Sequence, residues 1–162
     1  SGAIALALAH SCPEARVTAL DRSRRALAIA DRNRRRHNLQ DRVHLLAGDW
    51  LAPLSGPLAQ FDIIVSNPPY IPSDQIDGLQ PEIVRYEPRA ALDGGPDGLA
   101  CIKRLVSEAP DWLVTGGALF LEIGHDQYPA VRRLAAESGA YRDITCHPDY
   151  SGNDRVACLV KE

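Results

Sequence analysis

Runs of β-branched and aliphatic residues alternate along this chain with segments of helical spacing, and that alternation constrains its fold more than any other feature. Strand patterns fall at residues 15–20, 43–47, 61–66, 117–123, 141–146 and 155–160, and helical patterns at 1–10, 23–36, 99–113 and 128–138. A strand that returns to its sheet through a helix lies parallel to the strand before it, with a right-handed crossover. The expected architecture is therefore α/β, a mostly parallel twisted sheet with helices on both faces. The last two strand patterns are joined by a loop too short to hold a helix, which predicts an antiparallel strand at one edge. At 162 residues and 45% hydrophobic, the chain is expected to form a single domain (residues 1–162) that buries its own core.

Finer expectations follow from periodicity. The run Phe61-Asp62-Ile63-Ile64-Val65-Ser66 reads as a buried strand of a parallel sheet. The first helical pattern offers Ala3, Ile4, Leu6 and Leu8 for packing, and the second turns Ala26, Leu27, Ile29 and Ala30 inward. Pro110 predicts an interruption or an end to the helix in which it lies. Residues 68–98, rich in Pro, Gly and Asp, read as a long irregular segment, and a loop of that length is usually functional or mobile.

The strand at 61–66 runs into Asn67-Pro68-Pro69-Tyr70. Neither proline can donate a ladder hydrogen bond, so the strand stops and Asn67 is held extended at its carboxyl end. That edge is where open α/β sheets bind ligands. Asn67 offers one acceptor oxygen and two donor hydrogens, the Pro68 carbonyl adds an acceptor, and Tyr70 adds a flat apolar face with a polar tip. Such a pocket suits a planar group carrying an NH2, either a carboxamide or the exocyclic amine of a base. The other reading is an Asx-type turn leading into a stiff loop.

Carboxylates also stand at strand ends. Asp21 follows the strand at 15–20, nineteen residues after Gly2, where an acid can accept hydrogen bonds from ribose hydroxyls if Gly2 closes a glycine turn. It can equally cap the helix that begins at Ser23 or Arg24. Asp49 closes the next strand, where it could take an adenine amine; Trp50 beside it reads as a ring-packing residue or as ordinary core. Glu122 interrupts an apolar strand, where a carboxylate is costly unless it is paired or stands near the strand end with access to water, and no catalytic role attaches to it.

Other classes of function are disfavoured. A net charge of -3 gives no broad attraction to nucleic acid or to acidic membranes, and no run is long enough to span a bilayer. Arg34-Arg35-Arg36-His37 on an amphipathic helix reads as a solvated face rather than an RNA contact. The five histidines lack ligand spacing, so no metal site is expected. The four cysteines are scattered and read as reduced packing residues of a cytoplasmic protein. The chain has no methionine and opens mid-pattern at Ser1-Gly2, which predicts a fragment whose first strand lies upstream.

Taken together, the motifs resemble the HemK/PrmC family, the peptide chain release factor N5-glutamine methyltransferases. The matching pieces are Ser1-Gly2-Ala3-Ile4-Ala5-Leu6-Ala7, Asp21, Gly48-Asp49-Trp50 and Val65-Ser66-Asn67-Pro68-Pro69-Tyr70-Ile71-Pro72. They continue through Tyr86-Glu87-Pro88, Ala91-Leu92-Asp93-Gly94-Gly95, Asp97-Gly98-Leu99, Leu121-Glu122-Ile123-Gly124 and Asp154-Arg155-Val156. Of the family's glycine-rich turn this sequence holds only Ser1-Gly2, and the family's helical N-terminal domain is expected to lie outside this stretch. The resemblance implies a Rossmann-like class I methyltransferase fold with S-adenosylmethionine as methyl donor and S-adenosylhomocysteine as product. The implied acceptor is the glutamine of the GGQ motif in a release factor. Ser1, Gly2, Asp21, Asp49, Trp50 and Asn67 are then expected at the cofactor. Asn67, Pro68, Pro69 and Tyr70 are expected at the substrate, with Asn67, Pro68 and Tyr70 in the chemistry. An adenine N6-methyltransferase shares the Asn-Pro-Pro-Tyr chemistry and is one alternative. A truncated domain that folds without catalysis is the other.

Overall fold

The computed structural model describes residues 1–56 and 60–162, and these form two compact units, residues 1–56 and residues 57–162. In the first unit the order is α1 (Ala3–Ser11), β1 (Val17–Asp21), α2 (Arg24–Arg36) and β2 (Val43–Ala47). The two strands pair in parallel, from Val17 opposite Val43 to Asp21 opposite Ala47. Ser23 caps α2, its side chain accepting from Ala26 N at 3.2 Å. Arg34 and Arg35 both reach Asp31, at 2.7 and 2.9 Å, and Arg34 Nη1 also donates to the Val43 carbonyl at 2.7 Å. Part of the arginine cluster therefore fastens α2 to β2.

The core of this unit is narrower than periodicity predicts. Ala5, Ala9, Leu39 and Val43 are its buried centre, with Leu6, Val17, Ala19 and Leu45 packed against them. Ile4 and Ile29 keep 43% and 42% of their surface exposed, and of the residues expected to face inward from α2 only Ala30 is buried.

The second unit contains β3 (Phe61–Ser66), α3 (Pro81–Tyr86), α4 (Ala100–Trp112), β4 (Leu113–Glu122), α5 (Tyr128–Ser138), β5 (Tyr141–Pro148) and β6 (Asp154–Lys161). Its sheet has the order β3-β4-β6-β5; β3 and β4 are parallel, and β6 runs antiparallel to both of its neighbours. The reversed pair at the end of the sheet is the one the short final loop predicts. The reversed strand itself, β6, inserts one place in from the edge, and β5 takes the edge. Leu119, Leu121 and Ile123 in and just beyond β4, with Leu159 of β6, are fully buried against a core that includes Ile102, Leu105 and Val131 of α4 and α5. Strand alternation turns Ala118, Phe120 and Glu122 to the opposite face.

One expectation is corrected here. β3 is not buried: Ile63 and Val65 are 54% and 37% exposed, because among the described residues β3 is an edge strand of its sheet, paired with β4 alone. α4 ends near Pro110, as expected, running two residues past it to Trp112. The carbonyl that a residue with an N–H would have engaged, that of Val106, accepts the Tyr141 hydroxyl at 2.9 Å instead. Lys161 Nζ then closes the helix end with 2.7 Å bonds to the carbonyls of Pro110 and Leu113. No helix among the described residues is long and apolar enough to cross a membrane.

Candidate functional site

β3 delivers Asn67 to its carboxyl end, and Pro68 and Pro69 stop the ladder there. Pro68 is fully buried and anchors the turn, whereas Asn67 is exposed. Asn67, Pro68, Pro69, Tyr70 and Ile71 line a cavity of about 290 Å³ together with Glu87, Ala91 and Leu92. The four residues of the motif thus share one recess, and the far side of it comes from the segment that reads as irregular in the sequence.

That segment is extensively bonded. Ile71 N donates to the Leu92 carbonyl at 3.0 Å, Gly94 N to the Ile71 carbonyl at 2.9 Å and Ser73 N to the Gly95 carbonyl at 3.0 Å, so residues 71–73 run alongside residues 92–95. Asp93 Oδ1 accepts from Ser73 Oγ at 2.6 Å and from Gly95 N at 2.9 Å. These hydrogen bonds, Ser73 first, hold the Asp93 carboxyl below the usual carboxylate range. Arg89 spans to Asp77 Oδ1 at 2.9 Å and to the Ser73 carbonyl at 3.0 Å. Beyond it, Asp97 accepts from Leu99 N at 3.0 Å and from Lys103 Nζ at 2.6 Å. The stretch Arg89–Gly98 is therefore a bonded frame behind the cavity. Gly98 shows why glycine is needed there: its φ is +70°, and a Cβ would overlap the Tyr70 carbonyl and lie 2.7 Å from Gln127 Nε2.

Tyr70 is held at both ends. Its hydroxyl donates to Glu122 Oε1 at 3.2 Å, and its carbonyl accepts from Gln127 Nε2 at 2.9 Å. Burial first, and then the neighbouring Glu122 carboxylate, pushes the Tyr70 phenol above its ordinary value, so it remains a donor at neutral pH. Glu122 is thus the paired carboxylate that its place in an apolar strand demands. Gln127 is not legible as a site residue, since a glutamine opening a helical pattern carries no signal of its own. At 8% exposure it is buried, with its Oε1 accepting from Gly124 N at 2.8 Å.

The other expected residues lie in the first unit. The parallel register of β1 and β2 brings Asp21 and Asp49 to the same strand edge, where Gly48 N donates to the Asp21 carbonyl at 3.2 Å. Asp21 Oδ1 accepts from Ser23 N at 2.8 Å, an Asx turn that leads into the Ser23 cap. An ionised carboxylate can accept several bonds, and this one uses part of that capacity. Asp49 is exposed, and Trp50 is half-buried with a left-handed φ of +50°. Gly2 precedes α1 at φ +75°, and a Cβ there would lie 2.9 Å from that of Ala30. Asn33 Nδ2 donates to the Ser1 carbonyl at 3.0 Å, so Ser1 and Gly2 are seated on α2. Among the described residues no cluster of three or more His, Cys, Asp or Glu side chains could hold a metal ion.

Known proteins resemble this chain in sequence and in fold. Residues 1–96 match the methyltransferase small domain family. A release factor glutamine methyltransferase of Moorella thermoacetica is 54% identical over 155 residues, which is 96% of this chain and 54% of that protein. The protein of the same name from Caulobacter vibrioides is 45% identical over 161 residues, 99% of this chain and 55% of the relative. The chain therefore spans about half the length of the curated relatives it matches. Among solved structures, a methyltransferase from Pyrococcus furiosus superposes with a TM-score of 0.69 at 21% identity, covering 98% of this chain and 68% of that one. A ribosomal protein L11 methylase from Lactobacillus delbrueckii subsp. bulgaricus gives 0.66 at 18%, covering 99% and 65%. The fold is thus the Rossmann-like class I methyltransferase fold, the resemblance read from the motifs stands, and the chain belongs to the methyltransferase small domain family.

Proposed function

We propose that the protein containing this chain transfers a methyl group from S-adenosylmethionine to the side-chain amide nitrogen of the glutamine in a release factor GGQ motif. The observation that carries the proposal is the recess at the carboxyl end of β3, where an exposed Asn67 stands beside the Pro68 carbonyl and Tyr70. The names of the relatives support the choice of acceptor. A release factor substrate assigns the reaction to the cytoplasm.

An amide nitrogen is a weak nucleophile because its lone pair is delocalised into its carbonyl. Asn67 Oδ1 and the Pro68 carbonyl accept its two N–H bonds, fix the plane of the amide, and stabilise the positive charge that grows on nitrogen during attack. The buried Pro68 and the frame behind the recess keep those two acceptors in place, so alignment supplies part of the rate. Tyr70 packs against the glutamine side chain. The extra proton leaves to water afterwards, so no strong base is required. When bound, the cofactor supplies a methyl group on a sulfonium centre. The residues of the first unit suit such a group: Asp21 has acceptor capacity for ribose hydroxyls, Asp49 for the adenine amine, and Trp50 offers a ring face. Ser1 and Gly2 belong to the turn on the cofactor side.

The experiment is incubation with S-adenosylmethionine and a release factor, followed by mass spectrometry of the GGQ peptide. One added methyl on the glutamine side chain, abolished when that glutamine is replaced by glutamate, is expected. Methyl transfer to adenine in nucleic acid, with none to the release factor, would overturn the assignment.

A further inference from the structure

We propose that Glu122 and Gln127 are positioning residues that clamp Tyr70 at its hydroxyl and its carbonyl and so fix the acceptor recess. Two independent observations carry this. Tyr70 is the last residue of the turn and lines the recess, yet it is bonded to the end of β4 through Glu122 and to the start of α5 through Gln127. Gln127 is the one buried polar or charged side chain among the described residues, and each end of its amide has a partner. Oε1 takes Gly124 N at 2.8 Å; Nε2 gives to the Tyr70 carbonyl at 2.9 Å and lies 3.4 Å from the Gly98 carbonyl.

The geometry makes the clamp directional. Gly124 lies two residues past the end of β4, so the Gln127 amide ties the segment leaving that strand to the backbone just after Pro69. Gly94 and Gly98 let the frame close on the same point: a Cβ on Gly94 would lie 2.8 Å from the Tyr70 Cα. Glu122 sets the other coordinate, the direction of the ring. It stands half-buried at the end of β4, on the face opposite Leu121 and Ile123, where its carboxylate accepts from the Tyr70 hydroxyl. Arg155 completes this side, held by Asp149 Oδ2 at 3.2 Å and donating to the Ile123 carbonyl at 3.0 Å.

The kinetic consequence rests on the glutamine-methylation reading, whereas the placement of Tyr70 does not, and the test separates them. Glu122→Gln keeps an acceptor for the Tyr70 hydroxyl and Glu122→Leu does not. With a release factor as acceptor, Glu122→Leu and Tyr70→Phe should each lower kcat about tenfold with little change in the KM for S-adenosylmethionine. The double variant should be no worse than either, and Glu122→Gln should recover most of the loss. Gln127→Glu keeps the Gly124 bond but sets an oxygen against the Tyr70 carbonyl, so it should lower kcat while Gln127→Leu tests the loss of both bonds. Nuclear magnetic resonance of ring-labelled tyrosine, with five tyrosines to resolve, reads the clamp without any turnover. The Tyr70 ring signals should shift in Glu122→Leu and stay close to native in Glu122→Gln. Unmoved ring signals in Glu122→Leu, or losses that multiply in the double variant, would overturn the proposal. Shifted ring signals with no methyl transfer by the unsubstituted protein would leave the clamp standing and defeat the substrate assignment.

Discussion

Removing the Tyr141 hydroxyl should destabilise the second unit by way of a proline. Pro110 sits inside α4 with no N–H to give, which would orphan the Val106 carbonyl four residues back. The Tyr141 hydroxyl takes that place at 2.9 Å, and both residues are buried, at 6% and 3% exposure. Burial pushes the phenol well above its ordinary value, so it donates throughout the neutral range. Tyr141→Phe keeps the ring and its apolar contacts, and leaves a buried acceptor unpaired, a loss of about 2 kcal/mol. For a chain of this size that corresponds to a fall in Tm of roughly 4–8 °C. Pro110→Ala supplies the missing helical N–H, making hydroxyl and amide redundant at one carbonyl. In that background Tyr141→Phe should cost at most about 0.5 kcal/mol, a coupling of roughly 1.5 kcal/mol between the sites. Urea unfolding of the four proteins, checked for constant m, measures it. Equal costs in the two backgrounds would show that the hydroxyl does not act through the Val106 carbonyl.

Three further outcomes are expected. Asn67→Ala should lower single-turnover methyl transfer at least a hundredfold, on the order of one lost transition-state donor or acceptor, while calorimetric affinity for S-adenosylmethionine changes little; near-normal turnover would remove Asn67 from the chemistry. Gly98→Ala should destabilise by more than about 1 kcal/mol, since φ is +70° and the new methyl overlaps the Tyr70 carbonyl, and an unchanged denaturation midpoint would contradict that geometry. Acid should loosen the frame behind the recess. The carboxyls of Asp93 and Asp97 are lowered by bonds from Ser73 and Lys103 first, so their contribution is complete above the usual carboxylate value of about 4 and disappears as pH falls through their lower folded values. Hydrogen-exchange protection factors at Ser73 and Gly95, taken relative to the intrinsic rate at each pH, should therefore fall with acid, and Asp93→Asn should flatten that fall.

Local pattern in the sequence was enough for most of the strands and longer helices and for one wall of the recess. It was not enough for α3, which forms inside the stretch 68–98 that reads as irregular. Strand and helix periods differ, so Val43–Ala47, Phe61–Ser66 and Tyr128–Ser138 are readable from local pattern, and prolines after a β-branched run mark a strand end wherever they occur. The Asn-Pro-Pro-Tyr wall of the recess is continuous in the chain and was legible for that reason. What depended on partners distant in sequence was not. Periodicity cannot say how many neighbours a strand has, so Ile63 and Val65 read as buried although β3 is an edge of its sheet. It cannot place the reversed β6 between β4 and β5, because that order is set by which edges pair. For Glu122 the sequence offers either a paired carboxylate or one reaching water at the strand end, and only Tyr70, 52 residues away, names its partner, while Gln127 shows nothing until the Tyr70 carbonyl does, 57 residues away. Local propensity and periodicity act over a few residues and are written in the chain, whereas hydrogen-bond satisfaction is a property of neighbours in space, and only the tertiary structure decides who they are.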